Sequence, residues 1–171
     1  MKRLVIFVCN GNIHRSVIAA QVLRKTLKNG GINSKFSVDS YGLQGTKGTN
    51  PPRHKRLSDY PKEWRAARPV LDRFGIDISG HSFQRISAGI MKKASVVIAM
   101  DDKVYSRARN SLLKQFPKHI EKIHRFSELT ADHKVIKDPA GSGNASVHRK
   151  TIQNIYFTLH RKYKDILAWV K

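Results

Sequence analysis

A short apolar run, Leu4-Val5-Ile6-Phe7-Val8, opens the chain and feeds directly into Cys9-Asn10-Gly11-Asn12-Ile13-His14-Arg15-Ser16. The segment after it, Val17 to Lys25, is helix-like. A strand that turns straight into a helix argues for α/β architecture, and it makes the turn between them chemically special. Backbone N–H groups at a helix start have no intrahelical partner, and here they gather near one point. With a thiol at its base and a guanidinium at its rim, this turn can hold a phosphate against a nucleophile.

Each residue type in the turn has a physical reason. A thiol attacks only as the thiolate, and N–H donors at a helix N-terminus favour that form, so Cys9 is the candidate nucleophile. Arg15 offers a planar fork able to pair two phosphate oxygens at once. Gly11 can take positive φ and lets backbone approach an anion closely. Asn12 tolerates a left-handed conformation and can brace the loop. Ser16 can cap the following helix and donate its hydroxyl to the sulfur. The backbone of Asn10, Gly11, Asn12, Ile13, His14 and Arg15 forms the candidate phosphate cradle.

Beyond the turn, short β-rich apolar runs alternate with helical ones, the pattern of a parallel sheet. Strands are expected near 3–8, 35–39, 95–100 and 121–125, and helices near 16–29, 62–74, 86–93, 102–115 and 147–169. Asn29-Gly30-Gly31 supplies a helix stop. Val147, Ile152, Ile155, Tyr156, Leu159, Tyr163, Ile166 and Leu167 recur at helical spacing and read as core. The 171 residues suit one domain, 1–171, with no repeat or composition shift to mark a second.

No apolar run approaches the roughly 20 residues of a membrane helix. Leu4 to Val8 is too short for the core of a signal peptide. One cysteine allows no internal disulfide and fits a reducing compartment. The expectation is a soluble, cytoplasmic monomer. Eight histidines show no ligand-like spacing, so neither metal nor cofactor is expected. Charge is the unusual property: 33 Lys plus Arg face 12 Asp plus Glu, a formal net charge of +21 spread along the whole chain. A surface that positive favours anionic partners: phosphorylated proteins, acidic proteins or nucleic acid.

The turn resembles the signature of the low-molecular-weight protein tyrosine phosphatases, Cys-x-Gly-Asn-x-x-Arg-Ser after an N-terminal strand. The resemblance runs nearly end to end. Val38-Asp39-Ser40-Tyr41-Gly42, Asn50-Pro51-Pro52, Gly75 to His81 and Val97-Ile98-Ala99-Met100-Asp101 are all similar to family segments. Ile136-Lys137-Asp138-Pro139 resembles the family's mobile loop, whose Asp-Pro carries the general acid. The resemblance implies a four-stranded parallel open sheet with helices on both faces, in flavodoxin-like layers. It also implies a two-step, metal-independent hydrolysis of aryl phosphomonoesters. Cys9 would attack phosphorus while Arg15 and the loop N–H groups stabilise the equatorial oxygens. Asp138, stiffened by Pro139, would protonate the leaving oxygen and then activate water against phosphocysteine. His81 matches a family histidine that braces the loop.

Several positions depart from the family. A second cysteine often precedes the loop arginine; here it is His14, either charged beside the thiolate or turned to solvent, and an oxidised Cys9 has no internal rescuer. Val17 replaces a proline, and Ala20 replaces a helix acid that would partner His81. Ala140 and Gly141 follow Asp138-Pro139 where an aromatic residue usually flanks the substrate ring, leaving the slot open or walled by Tyr41 or Leu43. The segment from Arg53 to Phe74 is about ten residues longer than the family leads one to expect, and reads either as a basic flap or as a solvated helix packing a Trp64, Ala67 and Leu71 stripe. Two alternatives stand beside the tyrosine phosphatase: a protein arginine phosphatase, against which Ile13 argues where that branch has Thr, and a basic nucleic-acid-binding protein on a phosphatase fold.

Overall fold

The computed structural model of the protein describes residues 1–170. Four strands, β1 (Arg3–Cys9), β2 (Phe36–Gly42), β3 (Ala94–Ala99) and β4 (Ile123–Arg125), form one sheet in the order β2-β1-β3-β4. All three pairings are parallel. The helices are α1 (Arg15–Asn29), α2 (Pro61–Arg73), α3 (Ala88–Lys93), α4 (Leu112–Gln115) and α5 (Ala145–Ala168). The α/β fold expected from the sequence is the fold observed.

Side chains of β1 alternate between two cores. Val5, Phe7 and Cys9 join α1, α2 and α5 on one face, while Ile6 and Val8 join Met91, Val104 and Leu112 on the other. Both faces of this strand are therefore covered, which explains its unbroken apolar sequence. Because β2 and β3 lie on opposite sides of β1, the crossovers diverge at the β1/β3 boundary, where open α/β sheets leave a crevice at their carboxyl ends. Cys9 ends β1 at that crevice.

One expected helix is broken. Residues 102–115 form a turn at Lys103–Arg107, then extended backbone at Ala108 and Ser111, then α4. The cause is Asn110, whose buried amide nitrogen donates to the Leu43 carbonyl (3.1 Å) and to the hydroxyls of Thr46 (3.2 Å) and Thr49 (3.4 Å). Tertiary hydrogen bonds of a buried amide outweigh continuation of the helix. The expected strand 121–125 is shorter because Pro117–Lys122 winds into tight helical turns.

The extra segment packs as the stripe reading anticipated. Ala67 and Leu71 are fully buried, Leu57 is nearly so, and Trp64 lies against the same core. Each buried leucine contributes about 1.5–3 kcal/mol. Among the described residues no helix is long and apolar enough to cross a membrane.

Gly42, at the end of β2, carries a close approach. A Cβ there would stand 2.9 Å from the Asn10 carbonyl, 2.9 Å from Asn12 Cβ and 3.0 Å from Phe83 Cε2. Backbone atoms and a buried Asn cannot withdraw easily. Gly42→Ala should therefore lower stability by about 1–3 kcal/mol, measured as a lower denaturant midpoint at unchanged slope.

Candidate active site

The turn between β1 and α1 is held from below by the sheet and from the side by Asn12. Leu43 N–H donates to the Cys9 carbonyl (3.1 Å) and Gln44 N–H to that of Asn10 (3.0 Å). Asn12, fully buried with φ of 49°, takes the left-handed conformation its residue type tolerates, while Gly11, which could also take positive φ, does not. The Asn12 amide nitrogen donates to Ser16 Oγ (3.1 Å) and Ser40 Oγ (2.9 Å), and its Oδ1 accepts from Gln84 N–H (2.8 Å). His81 Nε2 lies 3.0 Å from both the Asn12 carbonyl and Oδ1. His81 thus finds its partner in Asn12, and Ala20, where the family often has an acid, is simply packed in the core.

The Cys9 sulfur lies buried at the base, 3.2 Å from the Asn12 N–H and 3.0 Å from Ser16 Oγ. Ser16 does not cap α1 as expected: it sits inside the first turn, and His14 occupies the cap position without a capping side-chain bond. The Ser16 hydroxyl is committed to the sulfur instead. Among the described residues the N–H groups of Gly11, Ile13 and His14 have no protein acceptor.

Arg15 is 2% exposed and placed between two carboxylates. Its Nη1 donates to Asp101 Oδ2 at 2.7 Å and to the Ile136 carbonyl at 3.3 Å, and its Nη2 to Asp138 Oδ2 at 2.8 Å. Burial alone would lower its pKa, but Asp138, Cys9 and Asp101 outweigh that, so the guanidinium is held in its charged form above its ordinary range. The structure therefore brings Cys9, Arg15 and Asp138 to one place, although Asp138 is 129 positions from Cys9 in the chain.

These groups open into a cleft of about 310 Å³. Cys9 to Gly11 and Ile13 to Arg15 make its floor, and Asp138, Pro139, Ala140 and Gly141 form one side. Pro52, Arg53, Leu57, Tyr60 and Glu63 line the cleft as well. Neither Tyr41 nor Leu43 walls the slot. Leu43 is buried in the second core, and the Tyr41 hydroxyl donates to Asp39 Oδ2 (3.1 Å). The aromatic wall comes from Tyr60, in the extended segment, and Glu63 Oε1 also accepts the Gly141 N–H (3.1 Å).

Asp101, Tyr60, Glu63 and His148 belong to this neighbourhood and were not singled out from the sequence. Asp101 ends the segment from Val97 that resembles the family; a carboxylate at the carboxyl end of a strand beside the crevice was the available signal. His148 gave none. It meets His14 from 134 positions away, Nδ1 to Nε2 at 3.1 Å. His14 is thus neither charged nor solvent-facing: burial first, then His148 and Arg15, lower its pKa to about 3.

The family model of the low molecular weight phosphotyrosine protein phosphatases matches residues 4–168. The chain belongs to that family. It is 28% identical over 140 residues to a low molecular weight protein-tyrosine-phosphatase of Bacillus subtilis, YfkJ, covering 82% of each chain. Among solved structures it resembles Wzb of Vibrio vulnificus in complex with benzylphosphonate (TM-score 0.71, 20% identity, 96% of this chain and 99% of that one). It also resembles a mutant of the YwlE arginine phosphatase with a phosphorylated active-site serine (TM-score 0.72, 21% identity, 96% and 95%).

Burial of neutral His14 has a pH consequence. Unfolded, its pKa is 6.5; folded, about 3. The unfolded chain binds the proton first, so this contribution to stability is complete above 6.5 and is lost as pH falls toward 3, by about 1.4 kcal/mol per pH unit. Thermal melts from about pH 7 to about pH 4 should fall less steeply in His14→Gln than in the wild type. Equal slopes would contradict a buried neutral His14.

Proposed function

We propose that the protein hydrolyses aryl phosphomonoesters of the phosphotyrosine type through a phosphocysteine on Cys9, residues 1–171 acting as one catalytic unit. The observation that carries this reading is the buried Arg15, poised between the sulfur's loop and Asp138. In the first step the Cys9 thiolate, supported by Asn12 N–H and the Ser16 hydroxyl, attacks phosphorus in line. The unpaired N–H groups of Gly11, Ile13 and His14, with Arg15, receive the charge on the equatorial oxygens.

Arg15 keeps its Asp101 contact while an entering phosphoryl group competes for the Nη2 now bonded to Asp138. Displaced from Arg15, the half-exposed Asp138 carboxyl is free to turn to the leaving oxygen. A protonated Asp138 beside the leaving oxygen is the general acid. In the second step the same carboxylate, now ionised, takes a proton from water attacking phosphocysteine. Asp101 holds the guanidinium throughout. Tyr60 and Leu57 supply the apolar wall for the substrate ring, in the place left open by Ala140 and Gly141.

One observation favours a second reading. Glu63 puts a carboxylate in the cleft wall, suited to a phosphorylated guanidinium, which is the substrate chemistry of an arginine phosphatase. Ile13 on the floor, and the aromatic side of Tyr60, favour a phenyl ring. A peptide array carrying phosphotyrosine, phosphoarginine and phosphoserine separates these readings, with turnover of phosphotyrosine members expected and turnover confined to phosphoarginine contradicting the assignment.

Cys9→Ser should abolish turnover of nitrophenyl phosphate, with chelators having no effect on the wild type. Asp138→Asn should lower kcat/KM for phenyl phosphate by about 100-fold or more and for nitrophenyl phosphate far less, because the better leaving group needs little protonation. Equal losses on both substrates would remove Asp138 from the acid role.

A further inference from the structure

The loop that carries Asp138 is tied to the phosphate loop by a buried chain of two histidines. His148 lies in the first turn of α5, is fully buried, and places Nε2 2.7 Å from the Ser142 carbonyl. A carbonyl can only accept, so that nitrogen bears the hydrogen. The other nitrogen of a neutral His148, Nδ1, is then an acceptor, and His14 Nε2 donates to it at 3.1 Å. The tautomers of both rings follow from one carbonyl. His14 Nδ1 is left buried without a partner, beside Arg15. A second proton on His14 would sit on Nδ1 and meet no acceptor, consistent with its depressed pKa.

The placement of the ends matters most. His14 immediately precedes Arg15, and Ser142 is four residues past Asp138. The α5 end is itself fixed, since Asn144 caps it through Ser146 N–H (2.8 Å) and Val147 N–H (3.4 Å). Thr151, one turn further along α5, donates to the Lys137 carbonyl (3.3 Å) just ahead of Asp138. A buried polar chain with an orphaned nitrogen destabilises the fold relative to apolar packing, so its fixed direction and its two endpoints are what it provides.

We propose that His14 and His148 are positioning residues for proton transfer: the relay from His14 through His148 to the Ser142 carbonyl sets where Asp138 stands relative to the phosphate loop. Neither ring touches the reacting atoms. This inference rests on the phosphatase reading above, in which Asp138 is the acid. The relay takes the place next to the loop arginine where the family often has a second cysteine, so its role is mechanical rather than redox.

The test uses the full-length protein, with kcat/KM for phenyl and nitrophenyl phosphate and the inhibition constant of inorganic phosphate. His148→Leu cuts the relay. It should lower kcat/KM for phenyl phosphate by about 10-fold to 100-fold, with nitrophenyl phosphate and phosphate inhibition changed less than about 3-fold. His148→Gln, whose amide can donate to the Ser142 carbonyl and accept from His14, should recover most of the loss. His14→Leu combined with His148→Leu should be no worse than His148→Leu alone on the ratio of the two substrates, because both cut one chain. Equal losses on both substrates, or a Gln variant that is folded by its thermal melt yet as impaired as Leu, would overturn the proposal. Should His148→Leu fail to fold, the substrate ratio of His148→Gln against His14→Leu decides: near wild type for the first and reduced for the second supports the relay, and any other order overturns it. A wild type inactive on both phosphates would instead remove the phosphatase reading on which the relay depends.

Discussion

A charged guanidinium, 2% exposed, is the constraint around which the rest of the site is arranged. Such a group is tolerated in a protein interior only when its charge is matched and its donors are used. Arg15 meets both demands with Asp101, Asp138 and the Ile136 carbonyl. The two carboxylates differ in a way that suits chemistry. Asp101 is mostly buried at the exit of β3, and cutting a buried pair of that kind costs about 3–5 kcal/mol. Asp138 is 45% exposed on a loop and exchanges its partner at small expense. The fixed carboxylate orients the fork, and the loose one is free to leave it, as the proposed acid role requires.

Asn12 does for the backbone what Asp101 does for the side chain. A left-handed residue with its amide bonded to Ser16, Ser40 and Gln84 holds the turn open on the side where N–H groups remain unpaired. Ser16 links Asn12 to the nucleophile, since it accepts from Asn12 and faces the Cys9 sulfur. Gly42 lets β2 pass close enough for these bonds to form. The phosphate cradle is thus a product of three strand ends and one helix start, which is why it lies at the carboxyl edge of the sheet.

The sheet, its parallel sense and the long helices were legible in the sequence because apolar periodicity reports burial, and burial decides these elements. The broken 102–115 segment was not, since the deciding interaction is Asn110 reaching a loop more than sixty positions away. That Cys9, Arg15 and Asp138 meet at one place was readable from motif and resemblance, and their catalytic roles are part of the proposal. Gly11 and Asn12 are both residue types able to take positive φ, and the hydrogen bonds of Asn12 decide that it is the one that does. His14 was misread because its environment is set by His148, and no local pattern announces a pairing between distant histidines. The aromatic wall was sought at Tyr41 or Leu43, but the added length between Arg53 and Phe74 supplies it through Tyr60.

In the proposed mechanism phosphorus passes through the sulfur of Cys9. Rapid quenching during turnover of a phosphorus-labelled aryl phosphate, followed by peptide mapping, tests it directly. Label is expected on the peptide that contains Cys9, more of it in Asp138→Asn because hydrolysis of the intermediate is slowed, and none in Cys9→Ser. Label on a peptide that lacks Cys9, or turnover with no labelled protein at any quench time in either the wild type or Asp138→Asn, would contradict it.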